Sequence, residues 1–523
     1  TLYLSLDTVW DIDDAVLGSV WNSYTDADPL SGGESYTRGL HTTLPGVDPG
    51  DYHVIVRSDI LNYVPETSEA DNLSASLDTV ELDAEVLPLG GSVSGTLGHG
   101  QAVYYKLETP AGETVRLDFD SEGGLIANEI YVRYEAMPSL GRFDHASLEE
   151  FSTDPSVLIP ETRAGTYYVM VYGAWVPGTP EYILSSQVIP FSITEVRTDV
   201  VGDSGEATIR IDGARFAEST QFALRAPDGT LYEDIRLFVE DSSRVYVTFD
   251  LLHAPAGVYD VVAIQANGSV AVLDDAVTVI DESRGANLFS LIEGPTQVTV
   301  GRVNNFMLRY TNQGDGDAMA PLLILKSPDA PLGYTASDLR EGDLFYLGAS
   351  LDGPMDVLRP DTAFSQQVLY RSPSTDGQIQ ISVSTIQATD NRVIDSSRWN
   401  EIEAAIKPAT PDGMSEAEWD AEWDTFWGRI RANMGTTWGD YVRMLNQAML
   451  LVSEQGSPVR DVRTLMATVY DRHPDWRPAS NLSGTLRDSE TGAALANVEL
   501  AAYRTTPQGI ALGGYAITDG AGR

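Results

Sequence analysis

Carboxylates are the side chains whose spacing comes closest to a site. Asp7, Asp11, Asp13 and Asp14 crowd one turn, and Glu66, Glu69, Asp71 and Asn72 crowd another. Calcium takes about six to eight oxygen ligands, and dense loop carboxylates supply them while the cation relieves their repulsion. These eight residues are therefore the candidate calcium ligands, and calcium is the candidate cofactor. Solvated acidic surface is the competing reading and outweighs a site for either cluster alone. The chain carries 77 acidic against 33 basic residues, a formal charge of −44, and the spacing departs from an EF-hand loop. His41, His53, His99, His145, His253 and His473 are scattered singly, without a His-Glu-x-x-His helix or a paired metal ligand. Cysteine is absent, which removes thiolate nucleophiles, disulfides and zinc–thiolate sites.

The elements that would position such residues read mostly as strands. The 523 residues predict about four or five domains. With 42% hydrophobic and 9% aromatic residues, the chain can bury ordinary cores. Up to about residue 407, short Val/Ile/Tyr/Thr segments alternate with Gly, Pro, Asp and Asn turns. A Gly-x-Tyr step followed by an alternating strand recurs at Gly50-Asp-Tyr52, Gly165-Thr-Tyr167 and Gly257-Val-Tyr259. A Tyr placed there can tuck its ring under the corner and bond nearby backbone through its hydroxyl. The recurrence, every 90–115 residues or so, is the length of one β-sandwich and counts domains.

The pattern changes after Pro408. Ser415-Glu-Ala-Glu418 is a capping box, and Trp419, Trp423, Phe426, Trp427 and Ile430 fall on one helical face. Thr437 can cap a second helix and Ser457-Pro458 a third, giving a small three-helix segment. Its tryptophan stripe is read as core rather than as a carbohydrate or partner surface. The expected fold class is therefore mainly β: tandem immunoglobulin-like and jelly-roll-like sandwiches with one small helical bundle near the C-terminal end.

Several stretches resemble known families. Residues 1–82, through Tyr3–Gly18, Gly50-Asp-Tyr52 and Val64–Asn72, resemble the immunoglobulin-like CARDB adhesion modules of bacterial and archaeal surface proteins, as do 284–407 through Phe306–Ala318. Residues 86–190 are similar to bacterial pre-peptidase C-terminal domains, through Gly91–Leu97, Ala102–Leu107 and Arg163–Val171. That resemblance implies a secreted, non-catalytic module accompanying proteases. Residues 191–281 look like an IPT/TIG-type sandwich through Ile209–Phe216, 412–476 form the helical segment, and 480–523 resemble a carboxypeptidase-regulatory-like or Cna-B-like domain through Leu482–Leu500. Gly202-Asp-Ser-Gly205 echoes the nucleophile loop of trypsin-like proteases, but Glu206 replaces the next Gly and no histidine stands in the expected context. A serine without a base is a weak nucleophile, so no catalytic residue is assigned.

Both ends read as cuts: the chain opens on a strand and stops in the turn Thr518–Arg523. The expectation is a window from a very large secreted or cell-surface bacterial protein, not itself an enzyme, serving as spacer, scaffold or adhesive array. The alternative is the accessory region of an exported protease or Rhs-type YD-repeat toxin. Expected partners are other domains of the same chain, other copies, or cell-surface protein or carbohydrate. Nucleic acid is excluded by the charge, and no apolar run approaches the ~20 residues of a membrane span.

Overall fold

The computed structural model describes residues 1–20, 35, 37–42, 44–61, 68, 71–122, 126–147, 149, 151–281, 283–374, 377–454, 457–478, 499–506 and 509–517. It is mainly β, as expected, with four helices confined to 396–472 among the described residues. None of them is long and apolar enough to cross a membrane.

In the first unit, strand Leu2–Ser5 pairs antiparallel with Ala15–Gly18 and Gly50–Arg57, and the latter also pairs with Leu73–Ala75 and Val80–Leu82. The second unit packs two sheets face to face. One runs His145–Ala146, Ala127–Tyr134, Gly165–Trp175, Ala102–Thr109, Glu85–Val86; the other runs Ser156–Ile159, Thr114–Ser121, Glu181–Ile189, Ser92–Thr96. Alternation puts Val115, Leu117 and Phe119 inward against Tyr105, Leu107 and Val169, and the Tyr105 and Tyr182 hydroxyls meet across this core at 2.5 Å. The third unit winds eight strands around Ile209, Ile211, Phe222, Val247, Phe249 and Tyr259.

The three recurring tyrosines share one geometry. The Tyr52 hydroxyl donates to the Asp48 carbonyl and that of Tyr259 to the Pro255 carbonyl, both at 2.7 Å, while Tyr167 accepts from the Arg163 amide at 2.9 Å. Each bond reaches four residues upstream, and each ring is buried.

The fourth unit sets the sheet Leu288–Glu293, Val303–Asn312, Thr362–Arg371, Leu332–Gly333 against Leu344–Leu347, Leu322–Lys326, Ser382–Ile386. Helices α1 (Ser396–Ile406), α2 (Glu416–Asn433), α3 (Trp438–Val452) and α4 (Val462–Arg472) follow. The strand reading did not anticipate α1, which Asp395 caps by accepting the Arg398 amide. The capping box of Ser415 with Glu418 forms and Thr437 caps α3, both as expected; Asp440 completes a second box with Thr437. The last helix starts later than Ser457-Pro458, because Asp461 supplies the cap. Trp419, Trp423 and Trp427 are buried, in keeping with the core reading. Rather than closing a core of their own, the helices share one with Leu322, Ile324, Phe345 and Leu347 of the fourth unit. The Leu482–Leu500 stretch of the carboxypeptidase-regulatory-like resemblance lies outside the described residues up to 498; from Glu499 the strands Glu499–Thr506 and Gly509–Ile517 pair as a hairpin.

Candidate functional site

Strand Glu206–Ala214 alternates by the rule of strands: Ala207, Ile209 and Ile211 face the core, and Thr208, Arg210 and Asp212 face away. Strand Arg244–Asp250 does the same, and register sets Thr208 opposite Thr248, Arg210 opposite Tyr246 and Asp212 opposite Arg244. Such a polar face ordinarily meets water. Here Thr208, Thr248 and Tyr246 are almost fully buried, because the fourth unit sits on it.

Specific side chains make that joint. Asp317 of the fourth unit accepts the Thr208 amide at 2.9 Å and the Thr208 hydroxyl at 2.6 Å, and its own amide donates to the Glu206 carbonyl at 2.9 Å. Arg236 forks onto Asp356, with bonds of 2.7 and 3.1 Å, the geometry in which a guanidinium binds a carboxylate most strongly. Arg359, its side chain 4% exposed, donates to Asp352 at 2.7 Å and lies 4.8 Å over the Tyr246 ring. The Tyr246 hydroxyl bonds Asp352 as well. Gly353, at φ +89°, lets the loop pass against the Tyr246 ring, where a Cβ would come within 2.7 Å of it.

A cavity of about 380 Å³ opens in the joint, lined among others by Ser204, Glu206, Arg236, Asp317 and Asp356. Burial pushes the Asp317 carboxyl up to about 7; the bonds from Thr208 oppose the rise, Glu206 adds to it, and Arg359 opposes it. Arg236 is held above its ordinary value, first by its bond to Asp356 and against the cost of burial.

Gly202-Asp-Ser-Gly205 belongs to the same joint. The Gly202 amide donates to the Asp315 carbonyl at 2.7 Å. The Asp315 carboxylate receives the amides of Arg284 and Gly285, both at 2.8 Å. The Ser283 hydroxyl bridges Asp315, at 2.6 Å, and the Ser204 hydroxyl, at 2.7 Å. Among the described residues the hydrogen-bond partner of the Ser204 hydroxyl is thus Ser283 and not an imidazole.

Side-chain bonds cross the other joints as well. The first and second units meet through the Lys106–Asp83 ion pair and the Met137 amide on the Asp48 carboxylate at 2.7 Å. The second and third meet through the Arg215–Glu113 ion pair and the Ser242 hydroxyl on the Pro160 carbonyl at 2.5 Å.

The candidate calcium ligands fall as follows. Asp7 accepts the Val9 amide at 2.7 Å, Asp11 the Asp13 amide at 2.8 Å, and Asp14 the Asp11 amide at 2.9 Å. Three of these four carboxylates thus tie the turn to itself. Asn72 accepts the Ser58 hydroxyl at 2.8 Å, Asp71 is exposed, and Glu66 and Glu69 lie outside the described residues. Among the described residues no three His, Asp or Glu side chains gather as a metal centre. The joint residues escaped sequence reading. The signal available was the Thr-x-Arg-x-Asp row of one strand, which reads equally as a solvent face.

Residues 101–173 match the family of the bacterial pre-peptidase C-terminal domain. They span the second unit from strand Ala102–Thr109 into strand Gly165–Trp175, within the stretch where the resemblance was read. The chain is thus a multi-unit β chain in which one stretch of the second unit matches such a domain. The pre-peptidase C-terminal domain of the collagenase from Bacillus anthracis is a similar solved structure. The likeness covers 20% of this chain and 94% of that one, at 17% identity and a TM-score of 0.17. No curated protein matches the chain.

Proposed function

We propose that this chain is a non-catalytic structural and accessory segment of a secreted or cell-surface bacterial protein, holding other parts of that protein at fixed spacing. The observation that carries the reading is the joint between the third and fourth units. A chain that serves as a spacer gains from side chains that fix one sandwich on the next, since small inter-domain interfaces otherwise allow pivoting. The match at 101–173 to a family named for its place beside peptidases supports the accessory role and export. The remaining sandwiches are read as adhesion-type modules of the CARDB, IPT/TIG and carboxypeptidase-regulatory-like kinds, with other copies or cell-surface protein or carbohydrate as partners.

The test is turnover. The purified chain is expected to hydrolyse no peptide, ester or glycoside substrate, since Ser204 bonds Ser283. Turnover that disappears in Ser204→Ala would overturn the reading. Calcium held by Asp7, Asp11, Asp13, Asp14, Glu66, Glu69, Asp71 and Asn72 is a separate proposal. Melting should rise in millimolar calcium beyond the rise in equal magnesium; equal shifts would mean general screening and remove the site.

A further inference from the structure

We propose that the joint between the third and fourth units is a proton-gated coupling, in which Asp317 holds the fourth unit on the third most firmly when its carboxyl is protonated and loosens it on ionisation. The inference rests on the joint and not on the proposed export or accessory role.

The geometry leaves an ionised Asp317 without a cation of its own. From strand Glu206–Ala214 it faces Glu206 and Thr208; from strand Leu231–Asp241 it faces Arg236, already forked onto Asp356. From the fourth unit come Asp315, which is bonded to Ser283 and to the Arg284 and Gly285 amides, and Arg359, which is committed to Asp352. Both nearby guanidiniums thus hydrogen-bond other carboxylates, and Glu206 adds a charge of the same sign. The neutral acid is satisfied in place. Its hydroxyl can donate to the Thr208 oxygen, 2.6 Å away, while the other oxygen keeps the Thr208 amide at 2.9 Å. The Thr208 hydroxyl then turns to Thr248, at 2.7 Å. The chain of three hydroxyl-bearing groups therefore works in either protonation state, but the neutral one avoids a carboxylate that neither guanidinium bonds and that Glu206 repels.

The direction follows from linkage. A carboxyl raised to about 7 in the folded joint binds its proton more tightly there than in the opened chain. Its stabilisation is complete below the ordinary carboxylate range, near 3.9, and is lost as pH rises through about 7.

Amide exchange of the whole chain, normalised to intrinsic rates, tests this in segments 203–209 and 314–319 at about pH 5 and about pH 8. Protection is expected to fall by at least tenfold or so toward the higher pH. Asp317→Asn should remove that dependence, which separates Asp317 from His253, whose amide bonds the Asp203 carbonyl nearby. Glu206→Gln, at an exposed side chain, should move the midpoint to lower pH by removing the like charge. Equal protection at both pH values, an unaltered dependence in Asp317→Asn, or an unmoved midpoint in Glu206→Gln would each overturn the proposal.

Discussion

The hydroxyl of Thr208 donates to the carboxylate of Asp317 at 2.6 Å, across a sequence separation of 109 residues. One partner sits on the outer face of a sandwich sheet and the other in the loop after strand Val303–Asn312, within the next sandwich. Thr208→Val keeps the shape and deletes the hydroxyl. It should cost about 1–3 kcal/mol, the range for a buried acceptor left one bond short. Denaturant unfolding of the variant against the parent chain measures it, and a change of a few tenths would show that the contact is dispensable.

Gly353 should tolerate no side chain. Its φ of +89° is disfavoured for alanine, and the added Cβ would meet the Tyr246 ring. Gly353→Ala is expected to destabilise the joint by about 1–3 kcal/mol. Exchange at strand Arg244–Asp250 and at the Asp352 loop should rise together; a rise in the loop alone would place the strain within the fourth unit.

Trp423 ties the helices to the sandwich beneath them. It is fully buried, stacks on Trp427 with ring centroids 6.5 Å apart, and belongs to the core that includes Leu322 and Phe345. Trp423→Ala should cost about 3–5 kcal/mol, a large share of the ~5–15 kcal/mol typical of a domain. Because the core is shared, strand Leu322–Lys326 should lose exchange protection along with α3. Loss confined to the helices would indicate a separate bundle.

Asp440 predicts an acid-side effect of opposite sign to Asp317. Burial alone would raise its pKa. The Thr437 hydroxyl and amide and the Arg443 guanidinium outweigh that, and the carboxyl is held below its ordinary value. Its stabilisation is therefore present above the ordinary carboxylate range and is lost as pH falls through the lowered folded value. Asp440→Asn should melt lower than the parent near neutral pH, by about 1 kcal/mol of cap energy. The two melting curves should converge in strong acid; a constant gap would mean the effect is steric.

Sequence reading reached what is local. The Tyr52, Tyr167 and Tyr259 corners need only four residues of chain each. The capping box at Ser415 and the cap at Thr437 need three, and the Trp419–Ile430 face lies within about three turns of one helix. The α1 helix was missed although Asp395 stood ready to cap it. Its Trp399, Ile402 and Ile406 face is short and directly follows strands. The joint was illegible for a different reason. Thr208, Arg236, Asp317, Asp352, Asp356 and Arg359 come from separate segments, and each alone has the look of solvated surface. Gly202-Asp-Ser-Gly205 drew notice as chemistry because its residue types are chemical, whereas its close approach to Asp315 and Ser283 gives it a use as backbone packing.

The coupling of consecutive units is tested most directly by amide exchange followed through thermal melting of the whole chain. Segment 244–250 reports the third unit and segment 441–449 the helices packed on the fourth. If the joint couples them, both segments become exchangeable at one temperature in the parent chain, and Arg359→Ala, which removes the cation over Tyr246, separates them. Melting of the two segments several degrees apart in the parent chain would contradict the account.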